Sequence, residues 1–207
     1  MKCLLVTTHP LTNSLCKHLS SHVADKLQSQ GHEVTIEDLY EQNFQPALTA
    51  DERRSFYDDP YNSSTVSDEV ERLLEAELLV LVFPTWWFSF PAMLKGWFDR
   101  VWGPGIAYDH ASDLGPISPR LKKLKEVVVV TTLGSPWWVD RLVMRQPVKK
   151  ILKHGLLGAC TENCRLQFLS LYESENLNEG KLDAFKTKIN KAFQNLKEKS
   201  DYDSRSL

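Results

Sequence analysis

Six consecutive apolar residues, Leu78 to Phe83 (LLVLVF), run directly into Pro84-Thr85-Trp86-Trp87-Phe88, and no other stretch limits the possible folds so sharply. A strand with one face in water alternates apolar and polar side chains. A run without a polar member is covered on both faces, as a central strand of a parallel sheet is. Parallel neighbours need crossover connections, usually helices, so the rest of the chain must supply strands and helices in turn.

It does. KCLLVTT (2–8), HEVTIEDLY (32–40), EVVVVTTL (126–133) and NCRLQFLSLY (163–172) read as four more strands, the second with Val34, Ile36 and Leu39 facing inward. Leu15, Leu19, Val23 and Leu27 recur every four residues as one helix face, closed by Gly31. SDEVERLLEAE (67–77) reads as a helix with Ser67 as N-cap, and PAMLKGWFDRVW (91–102) as another, stopped by Gly103-Pro104. KKILKHG (149–155) lies in the next crossover, and Leu182, Phe185, Ile189, Phe193 and Leu196 form a last amphipathic helix. The stretches 41–67 and 103–120 read as polar or irregular connections. Five strands with intervening helices predict an α/β fold, a flavodoxin-like doubly wound parallel sheet of order 2-1-3-4-5. Residues 1–199 form one domain in this reading, and 200–207 a mobile tail.

With 207 residues and a net charge of −2, the chain shows no basic stripe of the kind that binds nucleic acid. The clusters Lys122, Lys123, Lys125 and Lys149, Lys150, Lys153 read as solvated charge. No apolar run approaches the roughly 20 residues of a membrane span, and MKCLLVTTHP is too short in apolar residues for a signal peptide, so a cytoplasmic protein without membrane insertion is expected. Cys3 and Cys16 read as buried free thiols. Cys160 and Cys164 are separated by three intervening residues with no second ligand pair, so no metal site is expected.

In the expected strand order the winding reverses between the first and third strands, opening a crevice at their C-terminal ends. Three loops meet there. The first runs from His9 to Asn13, Ser14 and Leu15 at a helix start, where unpaired amides and the helix dipole favour an anion such as a phosphate. The second is Pro84 to Phe88. Its large flat surfaces and spare amides suit an isoalloxazine ring, whose faces need apolar planes and whose pyrimidine edge needs hydrogen-bond donors. The third comprises Thr131, Thr132, Leu133 and Gly134, then Ser135 to Trp138. There is no glycine-rich dinucleotide fingerprint and no Walker pattern.

FPTWWFSFPAMLKGWFDRV resembles the flavin-binding signature of NAD(P)H:quinone oxidoreductases, an aromatic loop ahead of P-A-x-L-K-G-W. THP…NSL, GIAYDH and TTLGS fall in the matching order, so the resemblance extends to about residue 170. It implies FMN or FAD as cofactor and NADPH or NADH as reductant. It places His9 and Asn13 to Leu15 at the flavin phosphates, Thr85, Trp86, Trp87 and Phe88 along the ring, and Thr132, Leu133 and Gly134 at its pyrimidine side. Two-electron ping-pong reduction of a quinone-like acceptor follows, with a homodimer whose slot lies at the subunit boundary, which suits Trp137 and Trp138. Animal members carry T-x-G-G followed by a Tyr and a His for proton or charge transfer. Thr132-Leu133-Gly134-Ser135-Pro136 has neither, so no side-chain acid or base is assigned. His110 is a further candidate in the irregular connection. Two rival functions share the flavin site: a one-electron flavodoxin-type carrier, and a flavin-binding regulatory subunit with a membrane transporter as partner.

Overall fold

A computed structural model describes residues 1–111 and 115–203 of the chain. β1 (Lys2–Thr7), β2 (Glu33–Asp38), β3 (Leu78–Pro84), β6 (Glu126–Thr132) and β7 (Arg165–Leu171) form one parallel sheet in the order β2-β1-β3-β6-β7. Two short strands, β4 (Tyr108–Asp109) and β5 (Ser118–Pro119), pair antiparallel within the connection that reads as irregular in the sequence. The order 2-1-3-4-5 expected for the five long strands is therefore the observed one.

Leu78–Pro84 is buried throughout and paired on both sides, with Leu81 opposite Val6 and Val129. The strand alternation divides the core into two layers. Leu4, Val6, Leu79, Leu81, Val127 and Val129 face α3 (Ser67–Glu75), α4 (Ala92–Val101) and the helical stretch after Pro147. Leu5, Val80, Val82, Val128 and Val130 face α1 (Leu15–Ser29) and α7 (Glu179–Asp203). The α7 side chains that read as a face in the sequence supply Phe185, Ile189, Phe193 and Leu196 to that second layer. This helix continues to Asp203, past the boundary expected at 199, and 204–207 lie outside the described residues.

Other differences have physical causes. On β2 the expected inward pattern holds only in part: Leu39 is buried and Val34 packs on the second layer, but Ile36 is 47% exposed and Glu37 is fully buried. β2 is an edge strand, and Glu37, opposite Val6, points into the first layer, where Trp97 Nε1 donates to it at 2.5 Å and Arg72 Nε at 2.8 Å. Burial raises the pKa of Glu37 even against those donors. Ser67 begins α3 rather than capping it; Val66 occupies the cap position with no side-chain bond. Within 41–67 lies a short helix, α2 (Ala50–Arg54), with a complete capping box between Thr49 and Glu52.

α2 is locked to α4 by a buried ion pair. Arg100 donates from Nε and Nη2 to Glu52 at 2.6 to 3.1 Å, from Nη2 to Thr65 Oγ1 at 2.6 Å and from Nη1 to the Gln45 carbonyl at 2.5 Å. Four residues earlier, Gly96 meets the Pro46 backbone so closely that a Cβ there would lie 2.1 Å from the carbonyl oxygen. That contact explains a glycine inside a helix, where it would otherwise be unfavourable.

After β6 the chain forms a π-helical turn, Val139–Val143. It then runs through α5 (Pro147–Lys150) and a π-helical stretch, Ile151–Leu157, into α6 (Gly158–Cys160). Cys3, Cys16 and Cys160 are buried, Cys164 half-buried, and all four are free thiols. Burial pushes the Cys160 thiol up to about 11 and that of Cys164 to about 12, which suppresses the nucleophilic thiolate.

Candidate functional site

The three loops singled out from the sequence meet at the C-terminal edge of β1, β3 and β6. Thr8 N–H donates to the Val82 carbonyl at 3.0 Å and Thr85 N–H to that of Thr132 at 2.9 Å, so each loop leaves the sheet still tied to its neighbour. The Thr85 and Thr131 hydroxyls are 2.8 Å apart, and Cys16 Sγ in the first turn of α1 lies 3.6 Å from Thr132 Oγ1. Pro84 pairs with Thr132 as the last residue of β3.

Ser14 caps α1, accepting from Lys17 N–H at 3.3 Å. The Leu15 and Cys16 amides are thereby left as outward-facing donors, the condition for an anion at a helix N-terminus. Asn13 is exposed beside them, and the half-buried Leu15 side chain packs on the second core layer. His9 Nδ1 accepts from Leu11 N–H at 3.1 Å, which leaves Nε2 as the donor of the neutral ring. Burial is the main influence lowering the His9 pKa, and Lys17 adds to it. Lys17 itself pairs with Asp38 and, at 3.0 Å, with Glu41.

The aromatic loop closes into a tight turn directly after β3. Trp86 and Ser89 exchange both main-chain bonds, at 3.2 and 2.9 Å, around Trp87 and Phe88, whose φ angles are +51° and +54°. This is a two-residue turn of type I′ geometry, which normally selects Asn-Gly. The two tryptophans therefore do not alternate across a strand. Trp86 is 42% exposed and makes an edge contact with the His9 ring at 6.2 Å, while Trp87 is 98% exposed. An apolar residue of that size, in a conformation only glycine adopts cheaply, gains nothing for the fold where it stands.

The third loop brings Thr131, Thr132 and Gly134 to the same edge, but the Leu133 side chain is buried and its N–H and carbonyl are both bonded to the segment that follows β7. Trp137 and Trp138 are 52% and 48% exposed farther along. One wall was not anticipated. Residues 172–176, after β7, fold back on this loop: Leu133 N–H donates to the Leu171 carbonyl, Ser174 N–H to that of Leu133 and Glu173 N–H to that of Ser135, at 2.8 to 3.2 Å. The rule that placed the other loops at strand C-termini applies equally to β7 and would have found it.

The crevice fits a phosphorylated ring cofactor on one independent observation. The Thr7, Thr8 and Ser135 hydroxyls, at or just past the C-terminal ends of β1 and β6, are buried without hydrogen-bond partners, whereas those of Thr85, Thr131 and Thr132 beside them are bonded. His110 stands apart from the three loops. Its Nε2 lies 3.2 Å from the Phe56 carbonyl, and the ring lines a cavity of about 480 Å³ with Phe98, Trp102, Tyr108 and Ile151, between α4 and the π-helical stretch. A larger cavity of about 670 Å³ lies at the opposite end of β6 and β7, lined by Lys149, Lys153 and Arg165. Among the described residues, no group of three or more His, Cys, Asp or Glu side chains could hold a metal ion, and no helix is long and apolar enough to cross a membrane.

Residues 1–199 match a family model described as flavodoxin-like fold. The chain is 35% identical over 180 residues to the human ribosyldihydronicotinamide dehydrogenase [quinone], covering 77% of this chain and 76% of that protein. It is 42% identical over 111 residues to the uncharacterized NAD(P)H oxidoreductase YcaK of Escherichia coli, covering 53% of this chain and 57% of the other. The solved NAD(P)H:quinone oxidoreductase of Methanothermobacter marburgensis superposes with a TM-score of 0.79 over 95% of this chain and 97% of its own, at 22% identity, a likeness of fold. Sheet order, the crevice loops and the matched family together show that the chain belongs to the flavodoxin-like NAD(P)H:quinone oxidoreductases.

Proposed function

We propose that this protein transfers two electrons from NADPH or NADH to quinones or similar acceptors through FMN or FAD held in the three-loop crevice, by a ping-pong mechanism in the cytoplasm. The observation that carries the reading is the strained Trp87-Phe88 turn, exposed beside the α1 N-terminus and the Thr132–Gly134 backbone. When bound, the flavin supplies hydride acceptance and delivery at its N5.

The protein's part is to bind, orient and tune. The Leu15 and Cys16 amides, the Ser14 cap and His9 Nε2–H hold the phosphate end. Trp86, Trp87 and Phe88 pack the ring, and the Thr132 to Gly134 stretch meets its pyrimidine edge with the Gly134 N–H as donor. Because one aromatic slot serves both nicotinamide and acceptor, NAD(P)⁺ must leave before the acceptor enters. Trp86, Trp137, Trp138, Leu142 and Val143 are all at least 42% exposed. A rim so apolar is suited to burial against a second copy, which would also exclude water from the slot.

The test is the absorbance spectrum of the purified protein, with the released cofactor identified by mass, followed by initial rates at several acceptor concentrations. Bound flavin and parallel double-reciprocal lines are expected. Failure to bind either flavin, or intersecting lines, would overturn the cofactor site or the shared slot respectively. Sedimentation at micromolar concentration tests the dimer.

A further inference from the structure

The fold-back after β7 brings one charged group to the crevice. Glu175 lies in the short 3₁₀ turn Ser174–Asn176, which the main-chain bonds from Glu173 and Ser174 clasp to the third loop. Farther along that loop, Tyr172 OH donates to the buried Asp140 at 2.9 Å and holds the next turn in place. The clasp sets the Glu175 carboxylate directly against Gly134: a Cβ on that glycine would lie 2.9 Å from Glu175 Oε1 and 3.3 Å from its carboxyl carbon. Glu173, two residues away, points to Lys181 at 3.7 Å, whereas Glu175 has no ion-pair partner among the described residues.

We propose that Glu175 sets the charge at the pyrimidine edge of the cofactor, and so the balance between oxidised and reduced flavin in the site. The inference rests on the proposed placement of Thr132 to Gly134 at that edge. Reduction by hydride adds negative charge to the pyrimidine end of the ring, and backbone donors there stabilise it. A carboxylate fixed against the same backbone opposes it. The site then holds the reduced cofactor less tightly than it otherwise would, which favours delivery of the hydride to an acceptor. Glu175 is exposed, so water and salt screen the effect to about three- to tenfold in relative affinity.

The test compares wild type with Glu175→Gln, Glu175→Asp and Glu173→Gln. Each apoprotein is titrated with FMN and with FAD by fluorescence quenching, and the midpoint potential of the complex is measured against reference dyes. Glu175→Gln is expected to raise the affinity for reduced relative to oxidised flavin by about three- to tenfold, an upward shift of roughly 15–30 mV for a two-electron couple. Glu175→Asp should move it less, and Glu173→Gln should stay within about 1.5-fold of wild type. A Glu175→Gln ratio within that same margin, or an equal shift in Glu173→Gln, overturns the proposal while leaving the flavin site standing. Wild-type protein that binds neither flavin overturns both.

Discussion

Replacing Trp87 by glycine should make the protein more stable and a poorer flavin binder at once. With φ at +51°, Trp87 pays the left-handed penalty of about 1–2 kcal/mol that an L side chain incurs and glycine does not. The side chain is 98% exposed, so its removal forfeits no packing in the free protein. Against this, glycine adds freedom to the unfolded chain, at roughly 0.5–1 kcal/mol. The net expectation is a gain of about 0.5–1 kcal/mol, or about 1–4 °C in the melting temperature of a chain this long. The flavin should lose an aromatic contact of about 1–2 kcal/mol, weakening its binding roughly five- to thirtyfold. Thermal unfolding of the apoprotein and fluorescence titration of the flavin read the two effects separately. A destabilised variant that binds flavin as tightly as wild type would refute the reasoning on both counts, because Trp87 would then serve the fold and not the ligand.

Two other substitutions probe the scaffold under that turn. Arg100→Ala leaves the buried Glu52 carboxylate without its guanidinium, so about 3–5 kcal/mol should be lost, seen as a fall in the urea midpoint of roughly 1–2 M. Burial opposes ionisation of Glu52, but the hydrogen bonds from Arg100 and Thr49 outweigh it and hold the carboxyl below its usual value. The stability it confers is therefore present above the ordinary carboxylate range and lost as pH falls through the folded value, so the Arg100→Ala deficit should shrink on acidification. Gly96→Ala normally favours a helix by about 1 kcal/mol, but here the new methyl would lie 2.1 Å from the Pro46 carbonyl oxygen. Destabilisation by at least 1–3 kcal/mol is expected, read from the same urea midpoints.

The sequence signals that proved legible are those set by local pattern. LLVLVF has no polar member and lies at the centre of the sheet; Leu19, Val23 and Leu27 share one buried helix face; the crevice loops follow once the strand order is known. What stayed hidden depends on partners distant in the chain. Nothing near Glu37 shows that Trp97, 60 residues on, will donate to it and hold a carboxylate in the core while Ile36 stays exposed. The 41–67 stretch looks like a polar connection because its organising cation, Arg100, belongs to another helix. The turn at Trp87 was obscured differently: Trp-Phe violates the residue preference of its own geometry, and such local conflicts concentrate where function, not folding, selects the side chain.

Strain of that kind persists only when the surroundings over-determine it. Here the surroundings are α4, which begins three residues after the turn at Ala92 and is fixed to the β2 side of the molecule by Gly96 against Pro46, Trp97 on Glu37 and Arg100 on Glu52. None of these contacts touches Trp87, yet together they set where the chain leaving the turn must go. The anchor and the strain should therefore be coupled. In a double-mutant cycle, Trp87→Gly should gain its 0.5–1 kcal/mol in the wild-type background and little in Arg100→Ala, where a loosened α4 already lets the turn relax, giving a coupling of about 0.5 kcal/mol or more. Strict additivity would mean that the turn is held by its own two main-chain bonds alone, and that the buried ion pair has no part in shaping the crevice.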